Sequence, residues 1–166
     1  MNALEMGDQA FRLMTERRYE DALALCDKII ANWPHAYIGH HRKGQILSRM
    51  GERDLALKCK TRVVDLEPNE AFAYFGRARQ LMEMGRFREA VADLDEAERR
   101  DDGYFGPVIP LLRAECRLEL GNLDECEADC AKVPDDVAYP MFMGRGETSR
   151  RNVLEDVARR RKERSG

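Results

Sequence analysis

Residues 71–102 read AFAYFGRARQLMEMGRFREAVADLDEAERRDD. Tyr74, Ala78 and Leu81 precede Gly85, and Phe87, Ala90, Leu94 and Ala97 follow it, all at spacings of three and four. That period is helical on both sides of the glycine. The glycine lets the first helix end in a left-handed turn. The stretch therefore predicts two short helices packed against each other, with small residues where their backbones approach.

The same unit recurs along the chain at a spacing of 34 residues. Segments 3–36, 37–70 and 71–104 align without a gap, and 107–140 follows after Phe105-Gly106. Unit position 8 is Ala10, Gly44, Ala78 and Ala114, and position 20 is Ala22, Ala56, Ala90 and Cys126. A large side chain at either position would overpack the helix pair. Position 11 is Leu13, Leu47, Leu81 and Arg117, and position 15 is Arg17, Gly51, Gly85 and Gly121. Position 32 is Pro34, Pro68, Asp102 and Ala138, and a proline there stops the second helix. Each unit then holds a helix A over positions 2–14 and a helix B over 18–30. No strand signal is present, and Asp102-Gly103 reads as a helix C-cap. In the fourth unit Pro107 and Pro110 fit the first turn of helix A, whose amides are unpaired anyway, and Pro134 shortens helix B after Val133.

These residues resemble the tetratricopeptide repeat (TPR) family, whose signature is a 34-residue helix–turn–helix with small residues near positions 8, 20 and 27 and Pro at 32. The match runs over 3–140. It departs at position 27, which is small only at Ala97, and at position 24, which is Cys26, Lys60, Leu94 and Cys130. The resemblance implies an all-α, right-handed solenoid of four helical hairpins. Residues 1–140 form that array, and 141–166 a linker and a basic helix expected to cap it.

The tail has its own pattern. Met141-Phe142-Met143 reads as an apolar clip and Gly144-Arg145-Gly146 as a flexible joint. Asn152 is the expected N-cap, with Glu155 at N3 and Val153, Leu154 and Val157 as an apolar stripe. Residues 145–166 carry net charge +4 and residues 105–144 carry −5, which favours docking of the tail on the last repeat. A rival placement puts this helix inside the groove against Phe72 and Phe75.

Composition narrows the function classes. The chain has 166 residues, 43% hydrophobic and 36% charged, with a net charge of −3. A field this weak recruits neither nucleic acid nor membrane. The opening residues are not a signal peptide, and no apolar run approaches the ~20 residues of a membrane span. Five cysteines in such a chain predict reduced thiols and a cytoplasmic protein. His35, His40 and His41 lie close together, but adjacent helical residues diverge by about 100° and do not chelate one ion. Cys126 and Cys130 have metal-ligand spacing, yet they sit at packing positions and read as buried structural thiols. No phosphate-binding loop, metalloprotease motif or nucleophile elbow occurs. The chain is expected to be no enzyme and to need no cofactor or metal.

What remains is a peptide groove. Positions 2, 5, 9 and 12 of helix A form a second stripe, a third of a turn from the helix B seam, and in TPR arrays that stripe lines the concave surface. Ten of its 16 positions are apolar here. The expected groove residues are Phe11, Met14, Ile38, His41, Gln45, Phe72, Phe75, Arg79, Met82, Leu111 and Glu115. The bland alternative is that part of the stripe packs against the next helix A. The carboxylate clamp of one TPR subgroup needs Lys and Asn at positions that hold Gly7 and Phe11, or His41 and Gln45, so that mode is rejected. The expected function is binding of an apolar or amphipathic segment of a protein partner. The alternatives are a secretion-chaperone-like client holder and a self-assembling homo-oligomeric scaffold.

Overall fold

A computed structural model describes residues 1–140 and 147–165. The chain divides into two compact units, Met1–Gln80 and Leu81–Gly166. The first holds α1 (Ala3–Thr15), α2 (Tyr19–Asn32), α3 (Tyr37–Met50), α4 (Arg53–Leu66) and most of α5 (Ala71–Glu83). The second holds the end of α5, α6 (Phe87–Arg100), α7 (Val108–Leu120), α8 (Leu123–Cys130), strands β1 (Ala138–Pro140) and β2 (Glu147–Ser149), and α9 (Arg150–Ser165).

In the first unit α1 packs on α2 and α3, and α3 packs on α4. Ala10, Met14, Ala22, Cys26 and Ile46 form one buried cluster, joined by Leu13 and Tyr19. Close approach explains the small residues. A Cβ on Gly44 would sit 3.3 Å from the Cys59 Cβ and 3.5 Å from the Ala56 carbonyl oxygen. A Cβ on Gly7 would meet Ile38 Cγ1 at 2.5 Å, so α1 and α3 touch through a glycine. The helix starts with a capping box: Asn2 Oδ1 accepts from the Glu5 amide, and Glu5 accepts from the Asn2 amide, each at 2.9 Å.

The first-helix ends share one geometry. Gly51, Gly85 and Gly121 have φ of 82°, 71° and 77°. Arg17 takes the same place in the first hairpin with φ 61°, a left-handed conformation that costs a side-chain-bearing residue roughly 1 kcal/mol.

In the second unit α7 packs on α6 and α8, and α9 lies on both α7 and α8. Leu111, Ala114, Leu118, Leu123, Cys126, Cys130 and Val133 form its core together with Val153 and Val157 of α9. The tail thus docks on the fourth hairpin.

Four local expectations are corrected. β1 and β2 form a short antiparallel pair, Tyr139 opposite Thr148, where no strand was expected; three residues each are too few for a periodic signal. α9 begins at Arg150, and the Ser149 hydroxyl accepts from the Asn152 amide at 3.3 Å, so Ser149 does the capping expected of Asn152. The strand pair delivers the chain to the helix three residues early. α6 ends at Asp101, whose carboxylate accepts from the amides of Phe105 and Gly106 at 3.1–3.2 Å. Gly103, with φ 103°, serves that loop and not the helix end. α8 stops at Cys130, before the expected Val133. The clip Met141–Met143 and the joint 144–146 lie outside the described residues.

Candidate functional site

The helix A stripe of the first unit carries rings and cations on α1, α3 and α5. Phe11 is 39% exposed and Leu4 60%, seven residues apart on α1. The Arg42 guanidinium lies over the Phe11 ring at 4.9 Å. It donates to Gln45 Oε1 at 3.1 Å and reaches Asp8 at 3.4 Å. Its Nε is buried without a hydrogen-bond partner among the described residues. Arg42 is therefore a cation with one carboxylate at the outer limit of hydrogen-bond length, held flat on an exposed ring.

Beside it, Tyr37, His41 and Phe72 meet ring to ring, with centroids 5.1–6.1 Å apart. Burial, with Arg42 and Lys60 nearby, pulls the His41 pKa down to about 4. The imidazole is neutral at pH 7 and packs as an aromatic ring. Arg79 stands over Phe75 at 6.0 Å. Ser48, the last stripe position of α3, donates to Gln80 Oε1 at 2.6 Å.

The expected groove residues separate into three groups. Phe11, His41, Gln45, Phe72 and Arg79 keep some exposure on the first unit. Met14 and Phe75 are 2% and 6% exposed and belong to the core, and Ile38 fills the space over Gly7. On the second unit Met82 is half-buried, whereas Leu111 has no exposed surface and packs in the cluster that α9 completes. Glu115 accepts a hydrogen bond from the Thr148 hydroxyl of β2. At these two positions the stripe is covered by the chain itself.

Burial holds Cys26, Cys59 and Cys116 protonated. All five are free, and Cys26 and Cys116 are pushed up to about 12, chiefly by burial. Cys126 is raised by its hydrogen bond to Cys130 and then by burial. No group of three or more metal-ligating side chains occurs among the described residues. Nor is any helix among them long and apolar enough to cross a membrane.

One polar cluster was missed in the sequence. Arg113, 3% exposed, makes a two-pronged contact with the equally buried Asp129 at 2.9 and 2.7 Å. It also donates to Asp95 and Glu98 at 2.7 and 2.6 Å, and Arg117 reaches Asp129 at 2.7 Å. Hydrogen bonding from Arg113 lowers the Glu98 pKa. The available signal was Arg117 itself: a charge at position 11, where three units have Leu, needs a counter-ion.

A family model described as tetratricopeptide repeat matches residues 75–135. Mouse DnaJ homolog subfamily C member 7 is 42% identical over 62 residues, 37% of this chain and 12% of that protein. The chain thus spans a small fraction of that relative. Among solved structures, the TPR2B domain of yeast Sti1 in a complex with pHsp70 aligns with a TM-score of 0.64 at 19% identity, over 69% of this chain and 94% of that chain. Residues 75–135 thus carry the tetratricopeptide repeat, and the described residues adopt the fold of that family. The TPR fold also aligns with the Yersinia enterocolitica type III secretion translocator chaperone SycD, TM-score 0.64 at 19% identity, over 70% of this chain and 84% of that one. At such identities the likeness shows the all-α repeat fold alone.

Proposed function

We propose that this TPR protein is a non-catalytic interaction module whose first unit binds an apolar or amphipathic segment of a protein partner. The observation that carries the proposal is Arg42 stacked on the exposed Phe11, with Leu4 exposed on the same stripe. An exposed ring beneath a weakly countered guanidinium suits a peptide that offers an apolar side chain and a carbonyl or carboxylate together. Gln45 and the neutral His41 add polar contacts beside Phe72. The Sti1 domain, known in a complex with pHsp70, is similar in fold, which supports a partner-binding use of the fold. A client-holding role, like that of a secretion chaperone such as SycD, is the second reading, favoured by the exposed Leu4 and Phe11.

Selection of binders from a displayed peptide library against the full chain tests this. Binders should lose about tenfold or more in affinity on Phe11→Ala/Arg42→Ala, roughly 1.4 kcal/mol or above. Both side chains are partly exposed, so the melting temperature should move by only a degree or two. Undiminished binding by that variant would remove the first unit's stripe as the site.

A further inference from the structure

α9 is an odd helix to find in a core. Of its sixteen residues only Val153 and Val157 are buried, with Leu154 half-buried. The rest of its hold is ionic and wet. Arg161 pairs with Asp124 and Glu127 at 2.7 and 2.8 Å, and its partner Asp124 is 93% exposed. Arg160 pairs with Glu119 at 3.0 Å and also donates to the Leu118 carbonyl. Arg150 pairs with the largely exposed Asp135 at 3.0 Å. At the C-terminal end Arg164 donates to the Gly121 carbonyl at 3.3 Å. There the seam opens into a polar hollow of about 510 Å³ lined by Asn122, Asp124, Arg161 and Arg164.

Two buried valines set against the ordering of sixteen residues make a weak apolar anchor. Exposed ion pairs add little and are screened by salt. The surface beneath is better made. Leu111, Leu118, Leu123 and Cys126 form a continuous apolar floor, and Glu115, Glu119, Asp124 and Glu127 stand around it. The Arg113–Asp129 network holds α7 to α8 beneath that floor, independently of the tail. The charges match: −5 over residues 105–144 against +4 over 145–166.

We propose that the α7–α8 face is a receptor surface for a basic amphipathic helix of a protein partner, and that α9 is its displaceable occupant within the chain. The partner chemistry is the one α9 displays: an apolar pair at i and i+4, with arginines about two turns further on. The site lies on the second unit and shares no residue with Phe11 and Arg42, so the two proposals stand or fall separately.

The probe is a fluorescein-labelled peptide of residues 147–166. It should bind the full chain carrying Val153→Asp/Val157→Asp at least tenfold more tightly than it binds the unaltered chain, whose own helix occupies the face. Its affinity for the variant should fall about tenfold or more between roughly 50 and 500 mM salt. A peptide with the same two changes should not bind. Equal binding to both proteins, binding to neither, or salt-independent binding would overturn the proposal. Because the double valine variant exposes core, Arg160→Glu/Arg161→Glu serves as a second release variant with the valines kept. Hydrogen exchange on the unaltered chain gives an independent readout. Amides of α9 should exchange faster as salt rises while those of α7 stay protected, and equal protection at every salt would sink the idea. A concentration-dependent dimer mass, lost in the release variants, would replace the partner helix by a second copy and overturn it as well.

Discussion

The second and fourth hairpins solve one packing problem in different ways. In α3–α4, two helices of 14 residues approach through Gly44 and Ala56, and contact between backbone and short side chains closes the seam. In α7–α8, helix B has eight residues, and the pair is held by Arg113 and Arg117 on Asp129 and covered by α9. Where helix B is long, dispersion over a close seam suffices. Where it is cut short, buried charge pairs supply the cohesion and an added helix covers the exposed face. The first kind of seam punishes added volume, and the second punishes a lost partner.

The largest expected effect tests the charge-held hairpin. Asp129→Ala strands Arg113 at 3% exposure, though Asp95 and Glu98 remain, and should cost about 3 kcal/mol in chemical denaturation. Adding Arg113→Met should recover much of that loss. A single variant as stable as the parent would show the network to be idle.

Acid should strike the first unit earlier. The His41 pKa is lowered to about 4 in the folded chain, against 6.5 in the unfolded one. The unfolded state therefore binds more protons between these values, and stability rises with pH across that window. Lowering pH from 7 to 4 should remove about 2–3 kcal/mol through this group, and His41→Gln should flatten the slope. Glu98 acts with the same sign in a lower window: its pKa is depressed, so its contribution is full above the unfolded carboxylate value and is lost as pH falls through the lower folded value. Hydrogen exchange at pH 5 should therefore find α3 opening before α7.

Ala56→Leu probes the close seam and should cost about 2 kcal/mol by overpacking against Gly44. Thermal melting checks it, and no change in midpoint would mean the seam has slack. The smallest effect is at the first hairpin's turn. Arg17→Gly relieves a left-handed residue at φ 61° and should add up to about 1 kcal/mol, whereas Gly51→Ala, at φ 82°, should lose a similar amount.

Much of this was legible in the chain. Small residues at positions 8 and 20 and glycine at 15 placed eight helices, because close approach and left-handed caps admit few side chains. The charge split between tail and last repeat pointed to docking, and α9 does lie on α7 and α8. The groove was harder to read. A stripe position is apolar whether it faces water, the next helix A or the tail, and the pattern has the same period in each case. Only packing separates exposed Phe11 from buried Met14, and Leu111 beneath Val153 from half-buried Phe72. The Arg113–Asp129 pair escaped for a related reason. Its partners lie 16 residues apart on different helices, and nothing local distinguishes a buried charge from a solvated one.

The sequence by itself determined the number of hairpins, their turns and the small-residue seams, since those depend on spacing and on what a backbone tolerates at short range. Tertiary structure alone decided which stripe residues remain open, which cation keeps only a distant carboxylate, and which surface the chain covers with its own tail, since burial depends on neighbours brought together from distant parts of the chain.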